Sequence, residues 1–195
     1  AQMLEIDKWA LLKLNEVIEK CINSYESYEF HTLYSAILNF CIVDLSNFYL
    51  DVLKSRLYTE KPESAERRSA QTAMFIILDA MVKLLAPVLA FTAEEIWKYM
   101  PHKNGDDTVS VMLNRMPEVN AEYNNKELSE KWDKIIAVRN DVNKALEPAR
   151  NEKLIGKSLD AEVVVYAEGE LLEFLKEIEA ELAEIFITSK ASVSG

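Results

Sequence analysis

The stretch DLSNFYLDVLKSRLY, residues 44–58, limits the fold more than any other part of the chain. Its apolar residues Leu45, Phe48, Tyr49, Val52, Leu53 and Leu57 recur at steps of three and four, which places them on one face of a helix. Such a face has to be buried against other elements, so the chain needs a helical core around it. Asp44 or Ser46 is suited to cap the start, because a short side-chain oxygen satisfies an orphan backbone N–H of the first turn. Lys54 and Arg56 close the last turn, where cations complement the carbonyl end of the helix dipole. The expected product is a core helix with a basic C-terminal end.

The flanking sequence supplies the partners that helix needs. In residues 6–25, Leu11, Leu14, Ile18, Cys21 and Tyr25 form an apolar stripe, with Lys13, Glu16, Glu19 and Lys20 mostly outside it. Residues 28–43 repeat the pattern with Leu33, Ile37, Phe40 and Cys41 inward, and either break near Asp44 or run on with a bend. TEKPES at 59–64 is a short connection. Residues 64–85 are the most apolar: Phe75, Ile76 and Val82 widen a face made by Met74, Ile77, Leu78, Met81, Leu84 and Leu85. A helix apolar on more than one side sits centrally in its bundle. Pro87 kinks or ends it, and Thr92 with Glu95 fits a capping box opening a last helix through Trp97 and Met100.

The pattern then changes. Residues 101–125 read as a linker with a short strand at 110–113, and a helix resumes over 131–150, its end limited by Pro148. AEVVVYA at 161–167 is the best strand in the chain, 170–184 an acidic amphipathic helix and 185–193 a second strand. The expected fold class is mostly α: a helical bundle at 1–101, a linker at 102–130 and a small α/β subdomain at 131–195.

Composition removes several classes. Apolar residues make up 49% of the 195, which excludes a disordered chain. No uninterrupted apolar run approaches the ~18 residues of a membrane span, so no membrane is expected as a partner. The start, AQMLEIDKW, lacks the basic and apolar regions of a signal peptide. Cys21 and Cys41 lie inside helical patterns and read as reduced core thiols of a cytoplasmic protein. A net charge of −11 speaks against simple nucleic-acid binding. The acidity is uneven, however: residues 51–103 carry eight basic and seven acidic groups, while 151–195 carry four and ten. With a Debye length of about 8 Å at physiological salt, the local balance decides contact with phosphates.

Catalytic constellations are missing. Four glycines at 105, 156, 169 and 195 make no phosphate-cradling loop, and His31 and His102 are isolated from metal-ligand neighbours. No catalytic residue and no metal ligand is assigned. What stands out is basic. Lys54, Arg56, Lys61, Arg67 and Arg68 lie within fifteen residues, at the end of one core helix and the start of the next. They are candidates to meet an RNA backbone, where each would displace condensed counterions. The plainer reading, helix-end charges paired with Glu60, Glu63 and Glu66, stands beside it. A second set, Arg139, Lys144 and Arg150 with Lys153 and Lys157, is offset by Asp141, Glu147 and Glu152. Trp97 and Trp132 fall in apolar stripes and read as core rather than as stacking platforms.

FYLDVLKSRLY and LLAPVLAFTAEEIW, at 84–97, resemble the helical anticodon-binding domain of class I aminoacyl-tRNA synthetases. Three further stretches narrow the resemblance to isoleucyl members of the bacterial type: DKWALLKLNEVIEK, VRNDVNKALEPARNEKLIGKSLDAEVVVY and FITSKASV. The resemblance implies a tRNA partner, the isoleucine acceptor, and a catalytic domain elsewhere in the same parent chain. It implies ATP and Mg²⁺ for that parent and no cofactor for this piece. The family's His-Ile-Gly-His, Lys-Met-Ser-Lys-Ser and cysteine-rich zinc segments are not in this sequence. Its helix with an Arg-Asn-Thr run is also missing ahead of DKWALLKLNE, so the first two bundle helices are expected to have incompletely covered apolar faces. Valyl or leucyl enzymes, and a helical protein-interaction module without an RNA role, are the alternatives.

Overall fold

The computed structural model describes residues 3–195, which form two compact units, one ending at Lys126 and the other spanning Glu127–Gly195. In the first, α1 (Glu5–Glu26) packs on α2 (Phe30–Asn39), on a π-helical section (Phe40–Tyr49) and on α4 (Ala65–Leu85). The π section continues without interruption into α3 (Leu50–Thr59), so Phe30–Thr59 is a single helix of 30 residues. The chain therefore runs on through Asp44, and neither Asp44 nor Ser46 sits at a helix start. The i→i+5 bonding of a π turn lets Phe40 and Leu45, five apart, face inward together with Phe48 and Tyr49.

By length and composition this helix could cross a membrane, a property that counting uninterrupted apolar runs does not detect. Its inward face nevertheless belongs to the bundle: Leu33, Ile37, Phe40, Phe48, Tyr49, Val52 and Leu53 are buried there, and the Trp9 ring of α1 meets Phe48 edge-on at 5.1 Å. Its other side exposes Phe30, Tyr34, Leu38, Ile42, Val43 and Leu50. On α1, in contrast, every apolar residue of the expected stripe except Tyr25 is buried.

Ser64 starts α4 as expected, its hydroxyl accepting the Arg67 backbone N–H at 3.2 Å. The helix stops at Leu85, two residues before Pro87. α5 (Ala90–Tyr99) begins with Leu89 at the cap position and no capping side chain, which places Thr92 inside the helix. Glu94 instead accepts the Ser110 hydroxyl at 2.5 Å. Trp97, fully buried, anchors a cluster with Val82, Ala86, Ala93, Met100 and Val111.

The segment after α5 is bound to the bundle side chain by side chain. The Trp97 indole N–H donates to the Asp107 carbonyl at 3.1 Å. Asn15, buried on α1, donates to the Asn120 carbonyl at 2.7 Å and accepts the Asn120 N–H at 3.1 Å. Residues 111–113, expected as a strand, form a 3₁₀ turn started by Ser110, whose hydroxyl accepts the Met112 N–H.

The second unit holds most of α6 (Lys126–Asn151), with Pro148 in its last turn, and a β–α–α–β arrangement. Strands β1 (Glu162–Tyr166) and β2 (Lys190–Ser194) pair in parallel, Val164 opposite Ser192. Between them the expected single helix is divided into α7 (Gly169–Glu177) and α8 (Glu179–Phe186) at Ile178. Ile187, at φ 57°, closes α8 in the left-handed conformation, so β2 starts later than the apolar run at 185 suggests.

Candidate nucleic-acid interface

The five cations at the α3–α4 junction have different surroundings. Arg56 is 6% exposed and points into the bundle, where its two terminal nitrogens donate to the two carboxylate oxygens of Asp7 at 3.1 and 3.0 Å. The same carboxylate accepts the Tyr49 hydroxyl at 2.8 Å and the Ser69 hydroxyl, while Ser69 Oγ accepts the Leu4 N–H at 2.8 Å. One buried anion thus joins α1, the π section, α3 and α4. Burial pushes the Tyr49 phenol well above its ordinary pKa, and the adjoining Asp7 charge and hydrogen bond add to that, so the hydroxyl stays protonated. The expectation of Arg56 at an RNA backbone fails on this geometry.

The other four cations remain at the surface. Lys54 pairs with Asp51 at 2.7 Å within α3, and that hydrogen bond raises its pKa. Arg68 reaches Glu63 at 3.2 Å and stays 55% exposed. Arg67 is half-buried and donates to the Glu60 carbonyl at 3.2 Å, which fixes it across the turn. The exposed Lys61 ammonium has no partner among the described residues. Exposed ion pairs of this kind contribute little, so Lys54 and Arg68 can exchange a carboxylate for a phosphate at small cost.

The second set divides in the same way. Arg139 is 7% exposed and donates from Nε to the Ile185 carbonyl at 3.0 Å, tying α6 to the end of α8. Its expected contact with RNA fails for the same reason as that of Arg56. Lys144 pairs with Asp141 at 3.0 Å, in the open. Arg150 bridges Glu147 at 3.1 Å and the Ser158 hydroxyl, holding the loop before β1 onto α6. Trp97 and Trp132 are both buried, as their positions in the stripes suggest.

Reading the sequence missed the two buried polar networks. Asp7 precedes Leu11 by four residues and Leu14 by seven, so a carboxylate on the apolar stripe was the available signal. In the other network, Asp79 lies 2.9 Å from Lys83 and 2.5 Å from Lys103, and Lys83 lies 3.1 Å from Asp106. Burial alone would lower the Lys83 pKa, but hydrogen bonds to Asp79 and Asp106 outweigh it and the net shift is upward. For Asp106 burial acts upward, and the Lys103 N–H and the Lys83 ammonium reverse it to a net lowering. Among the described residues no group of three or more His, Cys, Asp or Glu is placed to hold a metal ion.

Residues 7–165 match the model of a family described as the anticodon-binding domain of tRNA ligase. An isoleucine–tRNA ligase of Desulforamulus reducens is 53% identical over 98% of this chain and 20% of its own length. Those of Caldanaerobacter subterraneus subsp. tengcongensis and Desulforudis audaxviator are 51% and 50% identical, over 97% and 98% of this chain. The chain spans about a fifth of the length of each.

Proposed function

Because the chain belongs to the anticodon-binding domain family of tRNA ligases, we propose that it holds the anticodon stem-loop of a tRNA through the exposed cations at the α3–α4 junction. The observation that carries this reading is Lys61, an exposed ammonium without a partner among the described residues, in the turn between α3, which carries Lys54, and α4, which carries Arg68; the surface pairs of those two are readily exchanged. Arg67 is half-buried, with Nε enclosed and one terminal nitrogen held on the Glu60 carbonyl, so it adds less to such a contact than the exposed Lys61 and Arg68. Phosphate contacts of this type position an RNA and carry no base information. Their task is to fix the stem so that the acceptor end reaches a distant active site. On the second unit, Lys144 is exposed and could make a similar contact, while Arg150 would have to give up its bridge to Glu147 and Ser158.

The relatives named as isoleucine–tRNA ligases support the isoleucine acceptor over a valine or leucine one. In this reading the parent joins isoleucine to its tRNA in the cytoplasm, and ATP with Mg²⁺ belongs to its catalytic portion. The contribution of the present region in this reading is to bind and orient the tRNA. Phosphate-alkylation interference on the tRNA bound to the full-length ligase tests the contact. Interference should fall on consecutive phosphates of one anticodon-stem strand and disappear from them in a Lys61→Ala/Arg68→Ala variant. An unchanged pattern in that variant would remove the α3–α4 junction from the interface.

A further inference from the structure

We infer that the free edge of β1 is a docking site for a third strand, supplied by a part of the same ligase polypeptide that lies outside residues 1–195. This rests on the chain being one portion of a longer ligase and is independent of the tRNA contact above.

Among the described residues β1 and β2 form a sheet of two parallel strands. Parallel strands are rarely left as a pair, because two strands cover too little surface. The Ala161 carbonyl accepts the Ser189 N–H and the Ala167 N–H donates to the Ser194 carbonyl, both at 3.0 Å. Backbone groups alternate from side to side along a strand. Val163 and Val165 therefore also face β2, while Glu162, Val164 and Tyr166 turn their N–H and C=O groups to the outer edge. Those groups have no partner among the described residues. The edge of β2 is different: α7 and α8 pack against that strand, and the Glu179 carboxylate accepts the Val193 N–H at 2.8 Å.

The composition of β1 leaves its edge receptive. Exposed edges are normally blunted by a lysine, a proline or a bulge. EVVVY has no lysine or proline and pairs in unbroken register, and its one charge, Glu162, is held by Lys190 at 2.6 Å. Val164 and Tyr166 are 45% and 77% exposed, so a third strand covers apolar surface as well as completing the ladder.

The surroundings specify the occupant. Asp160, Glu162 and Glu168 lie exposed at or beside β1, and residues 151–195 carry ten acidic groups against four basic ones. The strand that fits is β-branched or aromatic in its middle, with Lys or Arg at its ends. A second copy of β1 brings the same acidic flanks and does not match. Five residues provide few main-chain bonds and little area, so pairing needs the high effective concentration of a segment tethered to the same chain. About four-fifths of the length of each relative lies outside the part this chain matches, which is ample to supply one.

The test is hydrogen exchange of the full-length ligase, read residue by residue and without tRNA. The Val164 and Tyr166 amides should exchange at least about tenfold more slowly than in an open chain, and dilution should not change this. Val164→Pro removes an outward N–H and leaves the β1–β2 ladder in place. In that variant Tyr166 should lose its protection while Val163 and Val165 keep theirs; protection of Tyr166 that survives there would contradict strand pairing. If the variant does not fold, the natural ligase decides. Val164 and Tyr166 exchanging at the open-chain rate beside protected Val163 and Val165 would overturn the inference. Protection that fades on dilution, or that requires another protein, would assign the edge to a second molecule and overturn it as well. With tRNA absent, none of these outcomes bears on the α3–α4 junction.

Discussion

Arg56 and Arg68 are twelve residues apart and of the same type, yet one is enclosed by the fold and the other lies open to solvent. The difference comes from Asp7, which demands a buried cation once α1 has packed on α3 and α4. Removing one partner strands the other charge, so Asp7→Ala or Arg56→Ala should each destabilise by about 3–5 kcal/mol in urea unfolding. The double change Asp7→Leu/Arg56→Met should cost much less than the sum of the single changes, whereas additive losses would mean the two groups are energetically independent. Asp106 has a different signature. Its folded-state pKa lies below the unfolded value of about 3.9, so its contribution is present above that value and is lost as pH falls through the folded one. Unfolding of the natural chain and of Asp106→Asn should therefore converge toward the acid end, and a gap constant across pH would contradict the pairing with Lys83 and Lys103. The sequence marks Asp7 as a carboxylate on an apolar stripe but names the partners of neither network, because spacing shows which face a side chain occupies and not which charge lies across from it.

At the scale of elements, the helices were legible and several of their boundaries were not. Periodicity placed α1, α4 and α6 and the strand β1 from short-range pattern alone. The π section was hidden because its i→i+5 bonding leaves no strong spacing code; Phe40 and Leu45, five apart, were its only trace. Thr92 and Glu95 met the capping-box pattern, but the turn around Pro87 delivers the chain to Leu89 first, and the helix opens there. Ser64 is a true cap, so Ser64→Ala should cost about 1 kcal/mol, in a range of roughly 0.5–2 kcal/mol, while Thr92→Ala should cost far less. Equal losses in the two variants, measured by chemical denaturation, would contradict these assignments. The segment after α5 looked like a connection because Asn, Asp and Gly dominate it. The same residues supply the side-chain bonds that fasten it to α1 and α5.

For the whole molecule, the net charge of −11 and an RNA-binding role are compatible because the acidity is uneven along the chain: residues 51–103 carry eight basic and seven acidic groups, while 151–195 carry four and ten. A bound phosphate responds mainly to charges within one Debye length, about 8 Å at physiological salt. With Arg56 in the core, fewer cations face the RNA than the sequence suggests. The region alone should therefore bind tRNA weakly and with little preference for the isoleucine acceptor, since positioning contacts do not read bases. The most direct test is a salt titration of tRNA binding by the full-length ligase, natural and Lys61→Ala/Arg68→Ala. If both cations neutralise phosphates, the log–log slope of the variant should be shallower by about two units, and its affinity lower at every salt concentration below the crossing point. Parallel lines of equal affinity would show that these are solvated helix-end charges and that the α3–α4 junction does not hold the RNA.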